Sequence, residues 1–180
     1  MGGIGICRER MEQREDLSMK LQLGCGNNPF PREEGWVNHD IRFHSPHVDV
    51  AFDLRNLPWP IDETKMKFSE IVALDVFEHI PVEKGIAFFD ECWRLLEDNG
   101  VLHLRVPEFG SYFHLGDLTH VRGFMLHSFD LLDSTTHTGK NNFYTDFRWR
   151  IEKKERIHPE IPLERGRNLE FSFRKLGVGG

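Results

Sequence analysis

Cysteine is scarce. Cys7, Cys25 and Cys92 are the three in 180 residues, with no CxxC pair and no even set from which a disulfide framework or a zinc knuckle could be built. That excludes a small disulfide-stapled scaffold and points to a reducing, cytoplasmic compartment. Long apolar runs are missing as well. The longest in the middle of the chain, Ile71-Val72-Ala73-Leu74, falls far short of the roughly 18 residues a membrane span needs. The opening stretch is glycine-rich to Cys7 and then densely charged to Asp16, which does not read as a secretory signal. Repeats and low-complexity tracts are absent. So is an excess of positive charge: the net charge is −6, a poor basis for neutralising nucleic-acid phosphates. Residues 148–175 do hold nine Lys/Arg against five Asp/Glu, +4 against −10 for the remainder. A mixed-charge stretch of this kind reads as solvated surface.

What is present suits a globular domain. Apolar residues make up 39% of the chain, and a chain of this length buries about 70% of its unfolded surface without a staple. Residues 1–18 read as a leader, and 19–180 as a single domain. Short apolar runs at 20–23, 36–41, 48–52, 70–74 and 101–106 each end in glycine, an acid or proline, the pattern of strands finishing at polar loops. Between the fourth and fifth lies a helix over 81–98, with Val82, Ile86, Phe89, Trp93 and Leu96 at helical spacing on one face. A short helix is expected near 128–132. The segments 143–151 and 169–176 read as an antiparallel hairpin at the sheet edge, and such an edge offers a seam for a homodimer. Strand, crossover helix, strand implies an α/β fold with a mostly parallel sheet. The connections at 27–35 and 42–47 leave little room for crossover helices, so the helix layer on one face should be reduced.

The chemistry concentrates at strand ends. Leu23-Gly24-Cys25-Gly26-Asn27 is a glycine bend leaving a buried strand, where backbone can approach a ligand closely. Ligands of open parallel sheets bind outside the carboxyl ends of the strands. Asp40, Asp53 and Asp75 end the next three strands, and Asp40 stands about where a carboxylate accepts hydrogen bonds from a ribose diol. A dinucleotide fingerprint is incomplete: Pro29 occupies the place of the third glycine in GxGxxG, which argues against a nicotinamide-dependent oxidoreductase. His39, His44 and His47 are close in sequence, but their spacing fits no zinc pattern and strand alternation scatters them, so no metal is expected there.

Taken in order, Leu23-Gly24-Cys25-Gly26, Gly35-Trp36-Val37-Asn38-His39-Asp40, Asp53-Leu54-Arg55-Asn56-Leu57-Pro58-Trp59-Pro60, Asp75-Val76-Phe77-Glu78-His79-Ile80, Trp93–Gly100 and Val106-Pro107 resemble the class I S-adenosylmethionine-dependent methyltransferases of the compact type 11 group. The resemblance covers about two-thirds of the chain, and it implies a Rossmann-like sheet with S-adenosyl-L-methionine as cofactor. By it, the main chain of Leu23, Gly24, Cys25, Gly26 and Asn27 would hold the amino-acid end. Asp40 would take the ribose hydroxyls with Ile41 against the adenine, Asp53 and Leu54 would meet the adenine edge, and Asp75 and Val76 would line the methionine arm. Negative potential from such acids would favour a sulfonium.

Methyl transfer needs alignment of an acceptor, and a general base where the acceptor arrives protonated. The run Gly116-Asp117-Leu118-Thr119-His120-Val121-Arg122-Gly123-Phe124 resembles a segment that closes over the site in this family. His120 is the first choice as base and Glu108 the second. Trp59, Phe109, Tyr112, Phe113 and Phe124 are candidates to stack on a flat substrate. The expected activity is methyl transfer to an oxygen or nitrogen of a small or medium-sized acceptor. A module that binds the cofactor without catalysis is the alternative. The Asp75-Val76-Phe77-Glu78 end of the fourth strand and the lack of a Pro-Cys pair differ from the marks of nucleic-acid methylation.

Overall fold

The computed structural model describes residues 18–42, 45–157 and 167–177. The leader read over 1–18, Cys7 and His44 therefore fall outside the described residues, Ser18 excepted. Seven strands form one sheet: β1 (Lys20–Leu23), β2 (Trp36–Asp40), β3 (Val50–Ala51), β4 (Phe68–Leu74), β5 (Leu96–Pro107), β6 (Trp149–Ile157) and β7 (Asn168–Lys175). Their order is β3-β2-β1-β4-β5-β7-β6. The first five pair in parallel, while β7 runs antiparallel to β5 and β6 antiparallel to β7. Both halves of the chain thus depart from β1 and β4 in opposite directions, which places a crevice at the carboxyl ends of those two strands.

Alternation along the strands divides the sheet into two unlike faces. Leu21, Leu23, Ile71, Ala73, Leu102, Leu104, Phe171 and Phe173 are buried in the main hydrophobic cluster. The other parity carries Glu70, His103, Arg105, Glu170 and Ser172, with His103 Nδ1 2.9 Å from Ser172 Oγ. The apolar face packs on helix α1 (Gly85–Leu95). Phe77, Phe88, Phe89, Phe124 and Phe129 fill the space between them, with Phe124 and Phe129 stacked 5.4 Å apart. Among the described residues α1 is the single helix longer than four residues; α2 (Tyr112–Leu115) and α3 (His137–Lys140) are one turn each. The reduced helix layer expected from the short connections is present.

The connection from β1 to β2 holds a 3-10 turn, Arg32–Glu34, in place of a full helix. Side chains substitute for the missing hydrogen-bond ladder. Phe30 N–H donates to Gln22 Oε1 at 2.8 Å and to Asn38 Oδ1 at 3.0 Å, and Asn38 Nδ2 returns a bond to the Phe30 carbonyl. Gln22 and Asn38 are buried, so these bonds satisfy groups that would otherwise be costly to desolvate. The adjoining Asp49 receives Asn38 N–H and Arg32 Nε, which pins the β2–β3 connection to the same place.

Several boundaries differ from the sequence reading. The long helix begins with a 3-10 turn, Val82–Lys84, and ends at Leu95, because Leu96 already pairs with Phe68 of β4. Its buried stripe is Gly85, Phe88, Phe89, Cys92 and Leu95. Val82 is 61% exposed; the apolar periodicity held two offset stripes, and packing on the sheet selects the one centred on Phe88 and Cys92. The hairpin strand expected over 143–151 is β6 (Trp149–Ile157). Phe143 and Tyr144 are exposed loop residues, while the strand continues through Glu152-Lys153-Lys154-Glu155-Arg156, charges that suit an edge. The third strand, expected over 48–52, is cut to Val50–Ala51.

Candidate active site

Two neighbouring cavities open at the carboxyl ends of the parallel strands. The first, about 440 Å3, is lined by Gly24, His39, Asp40, Ile41, Phe52, Asp53, Leu54, Arg55, Asp75, Val76, His79, Ile80 and Thr119. The second, about 590 Å3, is lined by Asp75, Glu78, His79, Arg105, Pro107, Tyr112, Phe113, Gly116, Asp117, His120 and Asn168. Asp75 and His79 belong to both walls. Asp75 sits at φ +57°, in the left-handed region, directly after β4, a costly conformation for a residue with a side chain. Its N–H donates to the Arg105 carbonyl at 3.0 Å. This turn carries the chain out of the sheet between the two cavities.

Of the expected cofactor-binding residues, Gly24, Asp40, Ile41, Asp53, Leu54, Asp75 and Val76 line the first cavity. Leu23, Cys25, Gly26 and Asn27 do not. Leu23 points into the core, the Cys25 thiol is buried, and Asn27 Oδ1 receives Arg42 Nη1. The amides of the glycine bend are also engaged internally: Gly24 N–H faces His39 Nδ1 at 3.3 Å, Cys25 N–H donates to the His39 carbonyl at 2.8 Å, and Gly26 N–H to Asp40 Oδ2 at 2.8 Å. The bend is thus a clamp onto β2. Gly24 is required by φ +62° and by Val76, since a Cβ there would lie 2.4 Å from Val76 Cγ2.

Each strand-end carboxylate is paired with an arginine that the sequence reading left aside. Arg42 Nε reaches Asp40 Oδ1 at 2.9 Å, Arg55 Nη2 reaches Asp53 Oδ2 at 2.7 Å, and the Arg105 guanidinium grips both oxygens of Asp75. Burial pushes the Asp40 carboxyl up, but hydrogen bonds from Arg42 and Gly26 outweigh it and hold it below the usual carboxylate range. Arg55 lowers Asp53 in the same sense. The negative potential expected from three acids is therefore largely neutralised. The Asp-x-Arg spacing, repeated at 40–42 and 53–55, is the signal that could have shown it.

His39 lies buried between the bend and β3. Its Nε2 stands 2.9 Å from the Phe52 carbonyl and its ring packs at 4.1 Å on Phe52. Burial lowers its pKa to about 4. A neutral ring donating from Nε2 and accepting at Nδ1 satisfies both neighbours, so His39 is a structural bridge.

The second cavity contains His120 but not Glu108. His120 Nδ1 lies 3.2 Å from the His114 carbonyl. Its Nε2 faces Asp117 Oδ2 at 3.7 Å and Glu78 Oε1 at 3.9 Å. Glu108, the other expected base, lies outside both cavities, bound to Arg156 at 2.9 Å through Nε and to Arg167 at 3.2 Å. Two guanidiniums stabilise its ionised form and occupy its oxygens. Glu78 was missed: it is 1% exposed, and burial pushes its pKa up to about 8. The loop over 116–124 does cross the site, anchored by Val121 N–H to the Glu78 carbonyl at 2.9 Å. Tyr112 and Phe113 line the second cavity, whereas Trp59 and Phe124 are core residues.

No protein-family model matches the chain, and neither does any curated protein sequence. Solved structures do match. A SAM-dependent methyltransferase from Archaeoglobus fulgidus superposes with a TM-score of 0.60 at 13% identity, covering 96% of this chain and 92% of that one. The 1,6-didemethyltoxoflavin-N1-methyltransferase of Burkholderia thailandensis, solved with 1,6-didemethyltoxoflavin and S-adenosylhomocysteine, gives 0.61 at 14% identity over 97% of this chain and 76% of that one. The N-methyltransferase NodS of Bradyrhizobium japonicum WM9, solved with S-adenosylhomocysteine, gives 0.57 at 16% identity over 93% and 86%. The chain has the class I methyltransferase fold, as expected. No helix among the described residues is long and apolar enough to cross a membrane.

Proposed function

We propose that the protein binds S-adenosyl-L-methionine in the 440 Å3 cavity and transfers its methyl group to a small or medium-sized acceptor held in the 590 Å3 cavity. The observation that carries this reading is the shared wall: Asp75 and His79 line both spaces, so ligands in the two cavities would lie side by side at the turn after β4. The residues present fit the cofactor. Ile41 is 58% exposed beside a nearly buried Asp40, and with Phe52 and Leu54 it offers apolar surface for a flat base. Asp53 accepts from an exocyclic amine. Asp40 Oδ2 receives one internal bond, from Gly26, and keeps a lone pair for a ribose hydroxyl. We assign the cofactor's carboxylate to Arg105, which lines the 590 Å3 cavity and pairs with the shared residue Asp75.

When bound, S-adenosylmethionine supplies an activated methyl: a bond forms from the acceptor's oxygen or nitrogen to the methyl carbon as the sulfur–methyl bond breaks, releasing S-adenosylhomocysteine and a proton. The chain contributes alignment, and Tyr112 and Phe113 restrict the acceptor's approach. His120, in preference to Glu108, meets the acceptor's proton, because it lines the 590 Å3 cavity while Glu108 is held by two arginines outside it. We further infer that residues 19–180 act as one cytoplasmic domain, and that the acceptor is a small molecule and not a nucleic acid. Where two copies pair, exposed Phe143 and Tyr144 suit the contact better than the charged β6 edge. The short connections around the glycine bend support the alternative of a cofactor-binding module without catalysis. Incubation with methyl-labelled cofactor and a cell extract separates the two. Label in the small-molecule fraction is expected, and tight cofactor binding with no label transferred supports the module.

A further inference from the structure

Glu78, His79 and His120 converge at the floor of the 590 Å3 cavity. One carboxylate oxygen of Glu78 and one ring nitrogen of each histidine lie within 4.8 Å of one another. Here three different ligand-bearing side chains meet, two from the turn after β4 and one from the loop that crosses it.

A second observation bears on the same place. Glu78 is 1% exposed, and its Oε2 has no hydrogen-bond partner among the described residues. A buried carboxyl oxygen left unpaired is unfavourable and calls for an occupant. The histidines are arranged to supply lone pairs to the same point. With the proton on Nδ1, His120 donates to the His114 carbonyl, which leaves Nε2 bare toward Glu78. His79 Nδ1 lies 3.0 Å from Thr119 Oγ1, whose hydroxyl is itself 2.6 Å from Asp117 Oδ1. If that hydroxyl donates to Asp117, its oxygen accepts from His79 Nδ1 and leaves Nε2 of His79 free. Outer partners of this kind fix the tautomer and orientation of histidines that bind metals. The two rings stand 4.7 Å apart at 65°.

We propose that Glu78, His79 and His120 bind a divalent first-row transition-metal cation whose open coordination positions face the acceptor cavity. Two imidazoles and one carboxylate suit manganese, iron, cobalt, nickel or zinc better than calcium or magnesium, which prefer all-oxygen ligands. Asp117, 3.7 Å from His120 Nε2, and Asp75, in the wall of the same cavity, are further carboxylates beside the site. The site extends beyond the proposed methyl transfer, and one consequence rests on that reading: the acceptor would present an oxygen to the cation. His120 Nε2 would then be a ligand, so its direct contact with the acceptor's proton belongs to the metal-free protein.

The test uses the full chain, freed of metal with a chelator and titrated with Co2+ while visible absorption and heat are followed. One equivalent should bind with a dissociation constant of roughly 10 µM or tighter. Glu78→Gln and His120→Asn should each weaken binding by about 100-fold, and Thr119→Val by about tenfold, with thermal unfolding confirming that each variant is folded. If Glu78→Gln does not fold, His120→Asn carries the test. Binding weaker than millimolar in the parent chain, or equal binding in folded variants, overturns the proposal. A parallel titration of the metal-free chain with S-adenosylhomocysteine reports on the cofactor cavity alone. Co2+ uptake without nucleoside binding would leave the cation site standing while the methyltransferase reading fails, and the reverse result would do the opposite.

Discussion

Single residues decide how the 440 Å3 cavity behaves, and His39 is the clearest case. Its ordinary pKa near 6.5 falls to about 4 in the folded chain because burial disfavours the charged ring. The unfolded chain therefore binds the proton first, and folding stability is lost as pH falls from about 6.5 toward 4. Between pH 8 and pH 5 this amounts to about 2 kcal/mol. Other groups, the raised Glu78 carboxyl among them, titrate alike in both proteins, so urea unfolding should show the parent chain losing about 2 kcal/mol relative to His39→Asn between pH 8 and pH 5; equal pH dependence would contradict the assignment. Asp40 is the corresponding test of recognition. Asp40→Ala removes the acceptor for Gly26 and Arg42 together with the proposed ribose contact, and should weaken S-adenosylhomocysteine binding by about 100-fold in a titration of the folded variant. The positions of these acids could be read from the chain, since each ends an apolar run. Their arginine partners were overlooked although Asp-x-Arg occurs twice. Glu78 belongs in sequence to the segment that ends the fourth strand, which gives no hint of burial without partners, because that depends on the loop arriving from residue 116 onward.

At the scale of elements, the connection after β1 is held by side chains and not by a helix. Asn38 joins β2 to Phe30 through both its oxygen and its amide, so Asn38→Ala should lower stability by about 1–3 kcal/mol, measured by chemical unfolding. Gly24 couples this bend to the turn after β4. Gly24→Ala meets both an unfavourable φ and the Val76 methyl, and should cost about 2–4 kcal/mol. Adding Val76→Ala relieves the overlap but not the backbone strain, so partial recovery is expected. Full recovery, or none, would contradict the geometry. The strands and their mostly parallel sense are legible in the sequence because short apolar runs with polar, glycine or proline ends flank the long helix; their order in the sheet is not, since it depends on which edges pair. The long helix was legible as an element but not in its buried face: Val82 and Trp93 fit the period as well as Phe88 and Cys92 do, and only contact with the sheet chooses between them. The beginning of β6 was misread for a similar reason. Phe143 and Tyr144 have strand-like character, yet the pairing with β7 begins at Trp149 and runs into charged residues that look like surface in isolation.

For the whole molecule, one sheet with an aromatic-packed apolar face supports two cavities at its carboxyl end, and their common wall at Asp75 and His79 gives the arrangement its functional meaning. The solved methyltransferases that share this fold do so at 13–16% identity in the three comparisons above, so the reading of activity rests on this chain's own cavities. The most direct test is a calorimetric titration of the full chain with S-adenosylhomocysteine, with NAD as the competing ligand. One equivalent of S-adenosylhomocysteine bound at micromolar strength, with no heat from NAD, is the predicted result. No binding of S-adenosylhomocysteine by folded protein would contradict the account at its centre.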